Sequence, residues 1–261
     1  MGVNQPKSTA RQRARASTAW IVGGVCVSLL LTLAAFAWAT ERSLAAAEAN
    51  EPFRALSRSP AAQVSFGTEL APEIRAAVAR EGDAQRGRDV YASCAVCHLD
   101  DGGGRPDGTF PQLAGQHTSV IIKQLVDIRE GRRSNPLMLE FARRLSGSQE
   151  VADVARYVSG LDRPLHNGVG PGTGLEVGVA LYARDCASCH GAHGEGDASR
   201  FIPALAGQHY AYMLRQIRNI GAGRRGNAHP DMMALAAGYS DAELMALVDY
   251  ASRIRGGGAG E

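Results

Sequence analysis

The sequence has 261 residues, 45% hydrophobic and 21% charged, with 31 glycines and only 6% aromatic residues. That balance excludes a disordered polymer and a multi-span membrane protein, and suggests small, loop-rich domains that need more than a protein core to hold them together. The net charge of +2 arises at the N-terminus, where Lys7, Arg11, Arg13 and Arg15 precede any acidic residue; the slightly acidic remainder gives no reason to expect nucleic acid as a partner.

In chain order, the first element is the uncharged stretch 16–40, which includes Ile21, Val22, Val25, Val27, Leu29, Leu30, Leu31, Leu33 and Phe36. As a helix rising about 1.5 Å per residue it would exceed the roughly 30 Å of bilayer hydrocarbon. Basic residues precede it, so the N-terminus is expected to stay in the cytoplasm while the rest is exported. Residues 1–40 are therefore read as a basic end plus a transmembrane anchor. The alternative is a signal segment cleaved near Ala39, because Ala37-Trp38-Ala39 has the A-x-A form of a cleavage site. Either way the remainder is expected to work outside the cytoplasm. Residues 41–80 are Ala-rich and polar, and read as a spacer with one helix predicted over 69–80.

Cysteine spacing carries the strongest signal. Apart from Cys26 in the apolar segment, the cysteines form two pairs, each followed at once by histidine: Cys94-Ala95-Val96-Cys97-His98 and Cys186-Ala187-Ser188-Cys189-His190. C-x-x-C-H is the attachment motif of c-type haem. Thiols three residues apart on one helical turn reach both haem vinyl groups, and the adjacent imidazole meets the iron. A zinc site would need closer pairs than Cys97 and Cys186 provide. A disulfide framework would not place a histidine after each pair, and a thioredoxin-like motif would need a βαβ context.

The motifs lie inside a repeat. Pro111-Gln112-Leu113-Ala114-Gly115-Gln116-His117 answers Pro203-Ala204-Leu205-Ala206-Gly207-Gln208-His209, and Gly131-Arg132-Arg133 answers Gly223-Arg224-Arg225. Shifted by two further residues, Met138, Ala142 and Ser146 answer Met232, Ala236 and Ser240. The expected domains are 81–163 and 175–256, joined by a glycine- and proline-rich linker over 164–174.

Each domain reads as all-helical. A first helix runs into the haem motif through Gly87–Cys94 or Gly178–Cys186, and a middle helix begins near Thr118 or Tyr210. The last helix starts at a capping box, Ser146-x-x-Gln149 or Ser240-x-x-Glu243. Behind the boxes, Val151, Val154, Ala155, Val158 and Leu161, and Leu244, Leu247, Val248, Ala251 and Ile254, fall at helical spacing.

These motifs, with Tyr157 and Tyr250 in the final helices, resemble the dihaem cytochrome c4 family over roughly residues 82–255. The resemblance implies two tandem class I cytochrome c domains, all-α, behind the N-terminal transmembrane helix or signal segment. It implies two covalent haem c groups held by Cys94, Cys97, Cys186 and Cys189, and iron ligated by His98 with Met138 and by His190 with Met232. Met138 is the first domain's sole methionine, and register against it selects Met232 over Met233, while Met213 and Met245 fall on helical patterns. Pro111 and Pro203 are implied to accept the ring N–H of the ligating histidines. His117 and His209 are expected near the haem edge or capping the middle helix, and the Arg132/Arg133 and Arg224/Arg225 pairs either balance haem propionates or face solvent.

The implied function is electron transfer between respiratory redox partners, without catalysis. The donor would be of the quinol:cytochrome c reductase kind and the acceptor a terminal oxidase. The alternatives are a dihaem subunit of a membrane oxidase or periplasmic dehydrogenase complex and, less in keeping with the repeats, a dihaem peroxidase or thiosulfate-oxidising enzyme.

Overall fold

The computed structural model describes residues 70–164 and 166–255; the anchor or signal segment, most of the spacer and the glycine-rich C-terminus lie outside them. Among the described residues there is no strand beyond one isolated bridge between Asp197 and Ile202, and no helix long and apolar enough to cross a membrane.

The first module contains α1 (Pro72–Val78), α2 (Ala84–His98), α3 (Thr118–Arg129), α4 (Pro136–Arg144) and α5 (Ser148–Ser159). Asp83 starts α2 by accepting the amides of Gln85 and Arg86 at 2.8 and 2.9 Å, which satisfies two otherwise orphaned donors. The apolar stripe of α5 buries Val151, Val154, Ala155 and Val158 against Tyr91 of α2 and Ile121, Ile122 and Val126 of α3. Helix α1 adds Ile74 and Ala77 to this core, so the last part of the expected spacer belongs to the packing of the first module. The predicted box at Ser146 and Gln149 does not form. Gly147, one residue later, is the N-cap; Glu150 reaches back to the Ser146 amide at 2.7 Å, and Gln149 turns to Asp153 and the Glu81 carbonyl.

The second module repeats the plan with α6 (Leu175–Leu181), a π-helix (Tyr182–Cys186), α7 (Ala187–His190), α8 (Tyr210–Gly221), α9 (Pro230–Ala237) and α10 (Asp241–Arg253). Here the box is complete: Ser240 and Glu243 bond each other's backbone amides. In both modules the helix leading to the haem motif, α2 or α6, crosses the last helix at a glycine. A Cβ on Gly87 would collide with the Asp153 carbonyl, and one on Gly178 with the Ala246 carbonyl. Backbone-to-backbone approach of this kind admits no side chain.

The two modules pack through reciprocal bonds. Gln208 accepts the Gln112 amide at 3.0 Å and donates to the Gln112 carbonyl at 2.9 Å; Gln116 does the same for Ala204, at 2.9 and 3.0 Å. His117 donates to the Glu195 carbonyl at 2.7 Å and His209 to the Gly103 carbonyl at 2.8 Å. Equivalent residues exchange equivalent bonds, so the contact has approximate two-fold symmetry. Among the features that break it, Phe201, with φ of +57°, packs against the core of the first module. The linker is pinned as well, since Asn167 donates to the carbonyls of Gln208 and Ser252 at 3.0 and 2.7 Å. Gln208→Ala would strand a buried amide and carbonyl, and should cost about 2 kcal/mol in thermal denaturation. Gln116→Ala should cost less, because its bonds are only partly buried. Equal losses would contradict the burial argument.

Candidate haem sites

Each haem motif closes a helical run. In the first module Cys94 and Cys97 lie on the last turns of α2, and His98 is its final residue. In the second, Cys186 ends the π-helix, while Cys189 and His190 belong to α7. No disulfide joins these cysteines. Burial raises the Cys94 thiol and, with Asp185 adding to it, pushes Cys186 up to about 12; both are thiols at neutral pH.

After each histidine the chain reverses through a left-handed residue, Leu99 (φ +64°) or Gly191 (φ +80°). Tyr91 and Tyr182 anchor these turns by donating to the Leu99 and Gly191 carbonyls, both at 2.8 Å. The reversal brings the Pro111 carbonyl to His98 Nδ1 and the Pro203 carbonyl to His190 Nδ1, each at 3.0 Å. A carbonyl only accepts, so Nδ1 carries the proton and the Nε2 lone pair is the one left over. Among the described residues nothing bonds Nε2 in either ring. Both rings are buried, which lowers their pKa against the opposing pull of the proline carbonyl and keeps them neutral. A buried neutral imidazole with a fixed tautomer and a spare Nε2, one residue beyond a pair of free thiols, fits haem c.

Met138 and Met232 lie on α4 and α9, two helices absent from the sequence-based prediction. Their signal was present: Asn135-Pro136 and His229-Pro230 put a capping side chain before a proline at the first helical position. Asn135 accepts the Met138 amide at 3.2 Å, and His229 accepts the Asp231 amide at 3.3 Å. Each methionine is therefore the third residue of its helix, four before a buried alanine, Ala142 or Ala236. Met233 is one residue out of register, with its methyl toward Gly223. Met213 packs in the second core, whereas Met245 is exposed.

Of the remaining candidates, His117, His209, Arg133 and Arg225 sit between the modules. His209 donates through Nε2 to Gly103 and accepts the Gly168 amide on Nδ1 at 3.2 Å, so neither nitrogen is left for iron. His117 and His209 do occupy the N-cap positions of α3 and α8, but their side chains cross to the other module instead of capping. Arg133 donates to Gln124 at 2.8 Å and to the Tyr212 hydroxyl at 3.0 Å. Arg225 donates to Gln216 and Gln124, both at 3.1 Å. Burial and the neighbouring Arg133 bring Arg225 down to about 10. Burial would raise the Tyr212 phenol, but the guanidiniums of Arg133 and Arg225 outweigh it and bring the phenol below its ordinary value. Arg132 pairs with Asp127 and Glu130, and Arg224 with Asn219.

The family model described as Cytochrome c matches residues 84–162 and 175–253, the two modules just described. Cytochrome c4 of Pseudomonas aeruginosa is 34% identical over 179 residues, covering 65% of this chain and 87% of the relative. The chain belongs to the dihaem cytochrome c4 family. A thiosulfate dehydrogenase electron acceptor of Stutzerimonas stutzeri (strain A1501) is 35% identical over 172 residues, 62% of this chain and 79% of that protein. The crystal structure of reduced recombinant cytochrome c4 from Pseudomonas stutzeri superposes with a TM-score of 0.61 at 30% identity, covering 67% of this chain and all of that one. As a cytochrome c4, the chain binds two covalent haem c groups and transfers electrons to and from redox partners.

Proposed function

We propose that residues 81–163 and 175–256 are two one-electron carriers. Cys94 and Cys97, and Cys186 and Cys189, would form the thioethers. His98 with Met138, and His190 with Met232, would fill both axial positions of each iron. The observation that carries this reading is the repeated histidine, tied to a proline carbonyl through Nδ1 and bonded by no described residue at Nε2, in a module whose methionine opens a proline-started helix. The haem iron supplies the change between Fe(II) and Fe(III). The protein would hold the group by two covalent bonds, fixes the imidazole tautomer through Pro111 and Pro203, and buries both rings. Arg133 and Arg225 place positive charge between the modules where haem propionates would balance it. With both axial positions filled in both modules, no position remains for a substrate, so the chain is read as a carrier and not an enzyme. Optical and electron paramagnetic resonance spectra of the two oxidised haems test the ligand sets directly. After denaturation and acid–acetone extraction, two haems should stay with each chain. Haem passing into the solvent would refute the thioether assignment.

The second reading is a dihaem subunit of a membrane oxidase or periplasmic dehydrogenase complex. Relatives named as thiosulfate dehydrogenase electron acceptors favour it, as does the apolar stretch 16–40. Co-purification after mild detergent extraction separates a subunit from a free carrier working between a quinol:cytochrome c reductase and a terminal oxidase. We place the two modules on the periplasmic side of the inner membrane, anchored by residues 16–40. The mature chain should then begin before residue 20 and resist a carbonate wash. A mass spectrum starting at Thr40 would instead establish cleavage and a soluble periplasmic protein.

A further inference from the structure

The second haem motif is reached by one residue more than the first. Gly87 and Gly178 occupy the same helix crossing, yet Cys94 follows seven positions after one and Cys186 eight after the other. The additional residue is absorbed as the π-helix Tyr182–Cys186, a device that often marks a functional position. Within this wider turn the Asp185 side chain is only 12% exposed. Its carboxylate accepts the Tyr239 hydroxyl, and it pairs with the Arg184 guanidinium at 2.6 Å.

Tyr239 stands where it can transmit that bond. It follows Gly238, the C-cap of the helix that carries Met232, and precedes Ser240, the N-cap of α10. The Ser240–Glu243 box fixes the turn from the α10 side, and Asp185 fixes it from the haem-motif side. The first module has neither partner. Ser93 precedes Cys94 there and returns its hydroxyl to the Val90 carbonyl at 3.2 Å; Leu145 takes the place of Tyr239 and packs against the core.

We propose that Asp185 and Tyr239 form a latch that ties the methionine arm of the second module to its haem-motif helix and so slows loss of the sixth ligand; this rests on reading Met232 as that ligand. A thioether is a soft, neutral donor and holds ferric iron weakly. Its residence on the iron then depends on how firmly the surrounding chain keeps it in place. A phenol donating to a carboxylate is a charge-assisted bond and directional, whereas the contact of Leu145 is neither. Asp185 and Tyr239 are positioning residues, acting through α9 and not on the iron.

The test is cyanide capture by the full-length, dihaem ferric protein in stopped flow, with Met138→Ala and Met232→Ala used to assign the two phases. Tyr239→Phe keeps the ring and removes one hydroxyl. It should speed the Met232-assigned phase by about tenfold or more, the lower end of what a hydrogen bond to a charged group commands, and leave the other phase unchanged. Asp185→Asn, which retains an acceptor without the charge, should give a smaller increase in the same phase. An unchanged Met232 phase in Tyr239→Phe, or both phases rising together as general loosening requires, would overturn the latch. If Met232→Ala itself changed neither cyanide capture nor the methionine–iron absorption, the ligand assignment would fall, and the latch with it.

Discussion

Replacing Met138 by histidine should lower one of the two reduction steps by on the order of 0.1 V, a modest part of the ~0.8 V that axial ligands span, and leave the other step in place. Met232→His should do the reverse. Imidazole donates more strongly than a thioether and favours the ferric state, while His/Met ligation holds the potential high. The steps should move one at a time because each methionine belongs to a different module. Met233→His is the control. Its side chain is out of register and faces the turn at Gly223, so both steps should survive that change. Voltammetry of the three variants decides the matter. A step lowered by Met233→His and untouched by Met232→His would transfer the ligand role to Met233.

Gly87→Ala should destabilise the oxidised protein by about 3 kcal/mol, the upper part of the range for overpacking. For a folded region of this size that corresponds to a fall in melting temperature of roughly 6–12 °C. The new methyl group would meet the Asp153 carbonyl, which is backbone and cannot swing aside as a side chain can. Relief requires α2 and α5 to separate, and α2 carries Cys94, Cys97 and His98. Gly178→Ala should act similarly through the Ala246 carbonyl and tilt the second motif. Circular dichroism melts measure both losses. An unchanged melting temperature would mean that the helices part without cost, and that the glycines are not what sets the crossing.

Some of this was legible before any coordinates. The pairs Cys94/Cys97 and Cys186/Cys189 with their histidines are local signals, because the chemistry needs three residues within one helical turn and sequence spacing records that spacing in space. The last helices were equally plain, since a 3.6-residue apolar period reflects a buried face whatever covers it. Helices α4 and α9 were missed because both are short, nine and eight residues, so their apolar pattern spans little more than two turns; the Asn-Pro and His-Pro starts are what betray them. The box at Ser146 failed for a local reason as well. Gly147 takes the cap, and the competing bond from Glu150 to Ser146 cannot be told from a box by spacing alone.

The sequence by itself therefore determined the cofactor class, the number of modules and the helical period, because each is written within a few residues of chain. Tertiary structure alone decided what the repeated Gln-His segments are for. Gln116, Gln208, His117 and His209 bond residues 78 to 106 positions away, and their partners are mostly backbone groups, which any residue type supplies and no motif announces. Tertiary structure also decided where the one-residue surplus before Cys186 goes. The surplus is visible as a count, but only the fixed crossing at Gly178 and the fixed position of the haem motif force it into a π-turn that carries Asp185 to Tyr239.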